Sequence, residues 1–294
     1  MLRMTETGFK EEILGGFFNP PILQIGGIQM KTRIITALVL IPLLVAVLLS
    51  NIYIVSAAVT IISVMGLYEF FKATGLKEHR CLCAVGFAAA IAICLRTYIP
   101  LPFYMPLFYI GLIAVFCIML KCHKTVSVSE AGLLIFSLVY IPFLLSTLID
   151  IKGLQNGTLL LWIVFIGAFA TDTFAYFAGV FLGKHKLCPE ISPKKTIEGS
   201  IGGTIGCIVF MLLYGLLLDK AFNMDINYIK LAVLGVIVSP VSQIGDLTAS
   251  IIKRKYGVKD YGSLFPGHGG ILDRLDSVIA VAPLVYIYLN TVGI

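Results

Sequence analysis

Nine long apolar stretches constrain this chain more than any other feature. They fall at 33–50, 52–71, 82–99, 103–120, 131–149, 158–182, 199–218, 229–251 and 276–292. A bilayer core of about 30 Å takes about 20 apolar residues per helical crossing. No water inside it can satisfy a bare backbone, so a chain crosses as helices or as a closed barrel. Barrel strands alternate apolar and polar over about ten residues, whereas these runs are longer and do not alternate. The expected fold is therefore all-α, a polytopic integral membrane protein with about nine transmembrane helices. Only 13% of the residues are charged, against about 25% in soluble domains, too few to coat a globule.

The basic residues give an orientation. With nine crossings, 18 of the 22 Lys and Arg fall on one side of the membrane. Only Arg96, Lys152, Lys220 and Lys230 fall on the other. Cytoplasmic loops carry the excess of Lys and Arg, so the N-terminus is expected in the cytoplasm and the C-terminus outside. The net charge of +6 then reflects topology, and no nucleic-acid partner is expected. The seven cysteines are scattered without a CxxC pair, which points to reduced, membrane-packed thiols and disfavours a metal at Cys81 and Cys83. Residues 1–29 are of mixed polarity, with Pro20-Pro21 and no apolar core of signal-peptide length. They are expected to be an extension without a catalytic role. The remainder divides into a scaffold of five spans, 30–150, and a catalytic region of four spans, 151–294.

That division follows the polar residues. Spans one to five hold almost no ionisable residue in their middles apart from Glu69, near the cytoplasmic end of the second. Asp172 lies inside the sixth span, where a carboxylate is costly and normally faces protein or water. Gly179 and Gly183 follow it at helical spacing, so a small-xxx-small helix contact is the competing reading. In SPKKTIEG, Ser192 suits an N-cap and Pro193 a first helical position. Lys194 and Lys195 would then lie in a first turn, where the helix dipole disfavours cations unless an anion is bound; positive-inside topology also accounts for them. Gly199, Gly202, Gly203 and Gly206 are explained by helix packing alone.

The eighth span carries Asp246, seven residues before Lys253, hence about 10 Å below the cytoplasmic surface. Asp246, Ser250, Lys253 and Arg254 share one helical face. The ninth span opens with Asp273, Arg274 and Asp276. Carboxylates at a mouth lined with Lys and Arg are the ingredients of a phosphate–metal site, because Mg²⁺ accepts one or two carboxylates plus substrate phosphates and cations hold the remaining oxygens.

Residues 250–276 then supply a long pattern: Ser250-Ile-Ile-Lys-Arg, Lys259-Asp260, Gly262, Phe265-Pro266, His268-Gly-Gly-Ile and Asp273-Arg274-Leu-Asp276. Without departure over that stretch, this resembles the phosphatidate cytidylyltransferase family, the CDP-diacylglycerol synthases. SPKKTIEG and the Asp of ATDTFAY also resemble family motifs. The resemblance covers residues 30–294. It implies transfer of the cytidylyl group of CTP to phosphatidate, giving CDP-diacylglycerol and pyrophosphate in phospholipid biosynthesis. It further implies Mg²⁺, with a second cation as an option, on Asp246 and Asp273, with Asp276 close by and Asp172 as a further candidate. Lys253, Arg254 and Arg274 are the implied catalytic cations. Ser192, Lys194, Lys195, Thr196, Ser250, Lys259, His268, Gly269 and Gly270 are the implied substrate contacts. A multi-pass enzyme of the inner, cytoplasmic membrane is expected, its site facing the cytoplasm; CTP, phosphatidate and membrane lipid are its partners, and a homodimer is an open option.

Other readings fit parts of the same residues. His268 suits loop support or phosphate binding better than acid–base work, since a phosphate monoester is already ionised near pH 7. Ser192, Thr248 and Ser250 lack a base at readable spacing and suit capping or metal-shell roles. A secondary transporter also uses intramembrane Asp residues and Gly-broken helices, but tends to show two related halves. A purely structural membrane protein leaves Asp246 and the Asp-Arg-x-Asp run without a purpose. A CTP-dependent lipid kinase would use similar parts and transfer the γ-phosphate.

Overall fold

The computed structural model describes residues 38–264 and 269–294. Nine helices occupy those residues, each over one of the apolar stretches: α1 Leu38–Leu49, α2 Ile52–Thr74, α3 Arg80–Cys94, α4 Leu101–Lys121, α5 Val128–Lys152, α6 Gly157–Leu182, α7 Ile197–Phe222, α8 Tyr228–Lys255 and α9 Leu272–Thr291. Six of them, α2 and α4 to α8, are long and apolar enough to cross a membrane by length and composition. The chain is an all-α membrane protein. One short hairpin, β1 Lys186–Cys188 antiparallel to β2 Ser192–Thr196, lies between α6 and α7.

Local chemistry sets the helix ends. Asn51 and Asn227 cap α2 and α8 by accepting from Ile54 and Lys230, and Ser127 with Glu130 forms a capping box on α5. Gly75, with φ 82°, ends α2 in the left-handed conformation that glycine adopts without a Cβ penalty. Pro142 inside α5 removes one ladder donor, and residues 139–143 widen into a π-turn around it. The start of α7 differs from expectation. Helix begins at Ile197, and its N-cap is Thr196, whose Oγ1 accepts from Gly199 N–H at 3.1 Å. Ser192 and Pro193 belong to β2, where extended backbone suits proline and pairing with β1 replaces a helical turn. Lys194 and Lys195 therefore precede the helix, and a conflict with its dipole does not arise.

The glycine stripe of α7 lies against α6. A Cβ at Gly199 would stand 2.7 Å from Ala175 O, one at Gly203 2.9 Å from Thr171 O, and one at Gly206 inside the Phe174 ring. Helix packing accounts for all three. Gly235 brings α8 against the backbone of Ile208, and Gly245 brings it against α9, where a Cβ would meet Asp276 O at 2.7 Å. The buried core runs through both halves of the chain, from Leu67, Phe70 and Phe71 to Val278, Ile279 and Val285. At one end of the bundle, three of the four minority basic residues find partners, two of them carbonyls at helix ends. Lys152 Nζ donates to Leu48 O at 2.8 Å, Lys230 Nζ to Val292 O at 2.7 Å, and Arg96 pairs with Asp150. Cations suit carbonyl-rich helix C-termini.

Candidate active site

At the opposite end, β2, α6, α8 and the start of α9 converge. Lys195 of β2 reaches α8 and pairs with Asp246 at 2.6 Å, both side chains partly open at 23% and 31% exposure. Its Nζ also approaches Gln243 O at 3.5 Å. On α9, Ser277 N–H donates to Asp276 Oδ1 at 2.8 Å, and Ser277 Oγ donates to Asp172 Oδ2 of α6 at 3.1 Å. Ser277 thus ties Asp172 of α6 to the start of α9, and Gly245, the residue before Asp246, lies against the backbone of Asp276, so the three carboxylates lie on neighbouring stretches of α6, α8 and α9 with Lys195 beside Asp246. Ser242, one turn before Asp246, has a fully buried hydroxyl without a partner. Among the described residues, no three His, Cys, Asp or Glu side chains gather closely enough to hold a metal ion by themselves.

Asp273 sits differently. Its Oδ1 accepts from Lys253 Nζ at 2.8 Å, and its Oδ2 accepts from Tyr261 N–H at 2.8 Å and Gly270 N–H at 3.0 Å. The side chain is only 4% exposed and that of Lys253 11%. Lys253 also stands 5.5 Å over the Tyr261 ring. The Tyr261 hydroxyl donates to Ala249 O at 3.2 Å. Burial, aided by the Tyr140 phenol and the nearby acids, pushes that phenol above its ordinary range, so it stays a neutral donor. Both oxygens of Asp273 thus accept from groups in or beside the loop between α8 and α9.

A second buried carboxylate holds the same loop from the other half of the chain. Glu69 of α2, 7% exposed, accepts from Ile271 N–H at 3.0 Å and Leu272 N–H at 3.1 Å. Sequence reasoning assigned it no role. The available signal was an isolated carboxylate in an otherwise apolar span.

The cytidylyltransferase family pattern matches residues 31–292. The chain belongs to the cytidylyltransferase family. It is 32% identical over 269 residues to a phosphatidate cytidylyltransferase of Staphylococcus epidermidis, an alignment spanning 88% of this chain and 99% of that relative. With the phosphatidate cytidylyltransferase of Bacillus subtilis it shares 39% over 184 residues, 62% of this chain and 66% of the relative. With that of Thermotoga maritima it shares 37% over 155 residues, 51% and 56% respectively. These last two alignments thus span less than two thirds of their relatives' length.

The residues marked out in this cytidylyltransferase's sequence fall into groups. Lys195 and Asp246 pair, and Asp172 and Asp276 lie on the neighbouring stretches of α6 and α9 that Ser277 joins. Asp273 and Lys253 pair with each other beside them. Lys194, Arg254, Lys259 and Arg274 are exposed, and Ser192 and Ser250 half-buried. Thr196 is buried as the α7 cap and lies against Gly179 and Gly183. Those two glycines serve the α6–α7 seam, while Tyr176 on the same stretch is 67% exposed. Gly269 has φ 85° and lies against Asp273, whereas a Cβ at Gly270 would collide with Glu69. The glycine at 270 thus receives a carboxylate of the protein. All seven cysteines are free. His268 and residues 1–29 lie outside the described residues.

Proposed function

We propose that this cytidylyltransferase transfers the cytidylyl group of CTP to phosphatidate, yielding CDP-diacylglycerol and pyrophosphate. The observation that carries the reading is the Lys195–Asp246 pair, set beside Asp172 and Asp276 where four elements meet. A phosphate oxygen of the lipid attacks the α-phosphorus of CTP, and the bond to the bridging oxygen of the β-phosphate breaks as pyrophosphate leaves. Two anions must meet, so the protein's task is to neutralise charge and align attacker with leaving group. Lys195, together with the exposed Lys194, Arg254, Lys259 and Arg274, suits binding of the phosphates.

The donor set fits Mg²⁺. Asp246 is partly open and two further carboxylates lie near it, which suits a cation that takes one or two carboxylates and completes its shell with phosphates and water. Asp246 and Asp273 would hold it, with Asp276 and Asp172 as further candidates, and when bound it would supply charge neutralisation on the triphosphate. Asp273 accepts from Lys253 and two loop amides, and a carboxylate has lone-pair capacity beyond three donors, so it stays with Asp246 among the proposed ligands. An enzyme of the inner membrane, with nine crossings, its N-terminus inside and its site at the cytoplasmic face, accords with the charge asymmetry and gives access to both substrates. CTP arrives from water, while the phosphatidate headgroup sits at the interface.

Purified protein in lipid nanodiscs, given phosphatidate, Mg²⁺ and CTP labelled at the α- or the γ-phosphate, tests this. Label from the α-position is expected in lipid. Transfer of γ-label alone would make the protein a lipid kinase, and transfer of neither would end the proposal.

A further inference from the structure

The loop that carries the site is fastened by a residue 202 positions away in sequence. The first N–H groups of a helix lack intrahelical partners and carry partial positive charge. Those of α9 receive no cap from Ile271, its own boundary residue. Glu69 supplies one from α2: Oε1 accepts from Ile271 and Oε2 from Leu272, one oxygen to each of two successive amides. The surroundings are shaped for this contact. A Cβ at either Gly262 or Gly270 would collide with the Glu69 carboxylate, so the loop wraps it with glycine on two sides. Gly66, nearly one turn earlier on α2, admits Leu272, whose Cδ2 would stand 2.9 Å from a Cβ there. Beside it, the Gly270 amide donates to Asp273, so two carboxylates from different halves of the chain clamp consecutive amides at the same helix start.

We propose that Glu69 is a positioning residue of the cytidylyl-transfer site, fixing where α9 begins and hence where Asp276 stands relative to Asp246. It acts through the backbone of α9 and contacts no reacting group. The proposal rests on the function proposed above for its activity readout; the anchoring has a readout of its own.

The test uses the full chain in nanodiscs, with Glu69→Ala and Glu69→Gln. Amide hydrogen exchange is followed by mass spectrometry over peptides covering 269–276, and CTP-dependent labelling of lipid is measured on the same samples. In Glu69→Ala, exchange at Ile271 and Leu272 is expected to rise at least about tenfold while peptides of α6 and α7 stay as in the parent, the mark of a local opening. A misplacement of about 1 Å remote from the chemistry can lower rate about 100-fold. We therefore expect kcat to fall roughly 10- to 100-fold, with KM for CTP held within about threefold. Glutamine keeps one acceptor oxygen and turns the other into a donor, so Glu69→Gln should fall between alanine and the parent in both readouts. It also carries the test if the alanine variant does not fold. Unchanged exchange at 271–272 would overturn the proposal, as would faster exchange with unaltered kcat. Exchange accelerated throughout the protein, with activity loss that merely tracks the folded fraction, would reduce Glu69 to general structural support and equally overturn it. If the parent protein transfers no label, the proposed function fails, while the exchange contrast still decides whether Glu69 anchors α9.

Discussion

Asp246 and Asp273 read alike in the sequence, each an acid beside basic residues near one membrane face, yet they stand in different chemistry. Asp246 is 31% exposed with one lysine partner, whereas Asp273 is 4% exposed with three donors. Their asparagine variants should fail in different ways. Asp246→Asn removes half of a partly open pair, worth about 0–1 kcal/mol, so unfolding temperature should hardly move while kcat falls at least about 100-fold. Asp273→Asn leaves Lys253 buried without its counter-charge, and breaking such a pair costs about 3–5 kcal/mol. Lys253→Met added to it should recover part of that loss. Thermal unfolding and transfer rate, measured on the same preparations, check both. An Asp273→Asn protein as stable as the parent would refute the assignment. Residue types were readable from sequence, but partners were not, because Tyr261 N–H and Gly270 N–H reach Asp273 only once the loop has folded back onto α9.

Among the elements, the misplaced start of α7 shows where local signals compete. Ser-Pro is a good helix opening, and so is Thr-x-x-Gly with a free hydroxyl at the cap. Pairing of 192–196 with 186–188 decided between them, and that is a tertiary fact. Thr196→Ala should lower stability by about 0.5–2 kcal/mol through loss of the cap, whereas Ser192→Ala should leave unfolding within about 0.5 kcal/mol of the parent. Equal losses at the two positions would return the cap to Ser192. The glycine stripes were legible, since four glycines within about two turns of an apolar helix leave packing as the plainest explanation. Gly206→Leu, which drives a side chain into the Phe174 ring, should abolish the monodisperse peak in size-exclusion chromatography. Gly111→Leu on α4, where no atom lies within 4 Å, should not.

For the whole molecule, the order of helices follows from apolar run length alone, because a bilayer imposes one length scale on every crossing. The split into scaffold and catalytic halves was less legible. It rested on where polar residues lie in sequence, while α9 packs on α2 and α5 and takes its cap from Glu69. Orientation adds a prediction that turns on α3. That helix has only 15 residues, about 22 Å at 1.5 Å per residue, short of a core of about 30 Å. The 3₁₀ turns at Leu76–Glu78 and Arg96–Tyr98 extend it at both ends. If α3 crosses, Lys77 and Pro100 lie on opposite faces, and Lys255 shares the side of Lys77 while Lys220 shares that of Pro100. Single cysteines at these four positions, in a background with the seven native ones replaced, would be probed in intact cells with a maleimide that cannot cross the membrane holding the protein. Cysteines at 100 and 220 should react at once, and those at 77 and 255 only after permeabilisation. Reaction of 77 and 100 from the same side would make α3 a re-entrant or interfacial helix. Every charge count N-terminal to it would then invert, moving Glu69 and the loop it holds to opposite faces, which their hydrogen bonds forbid. The crossing of α3 and the Glu69 anchor therefore stand or fall on the same labelling pattern.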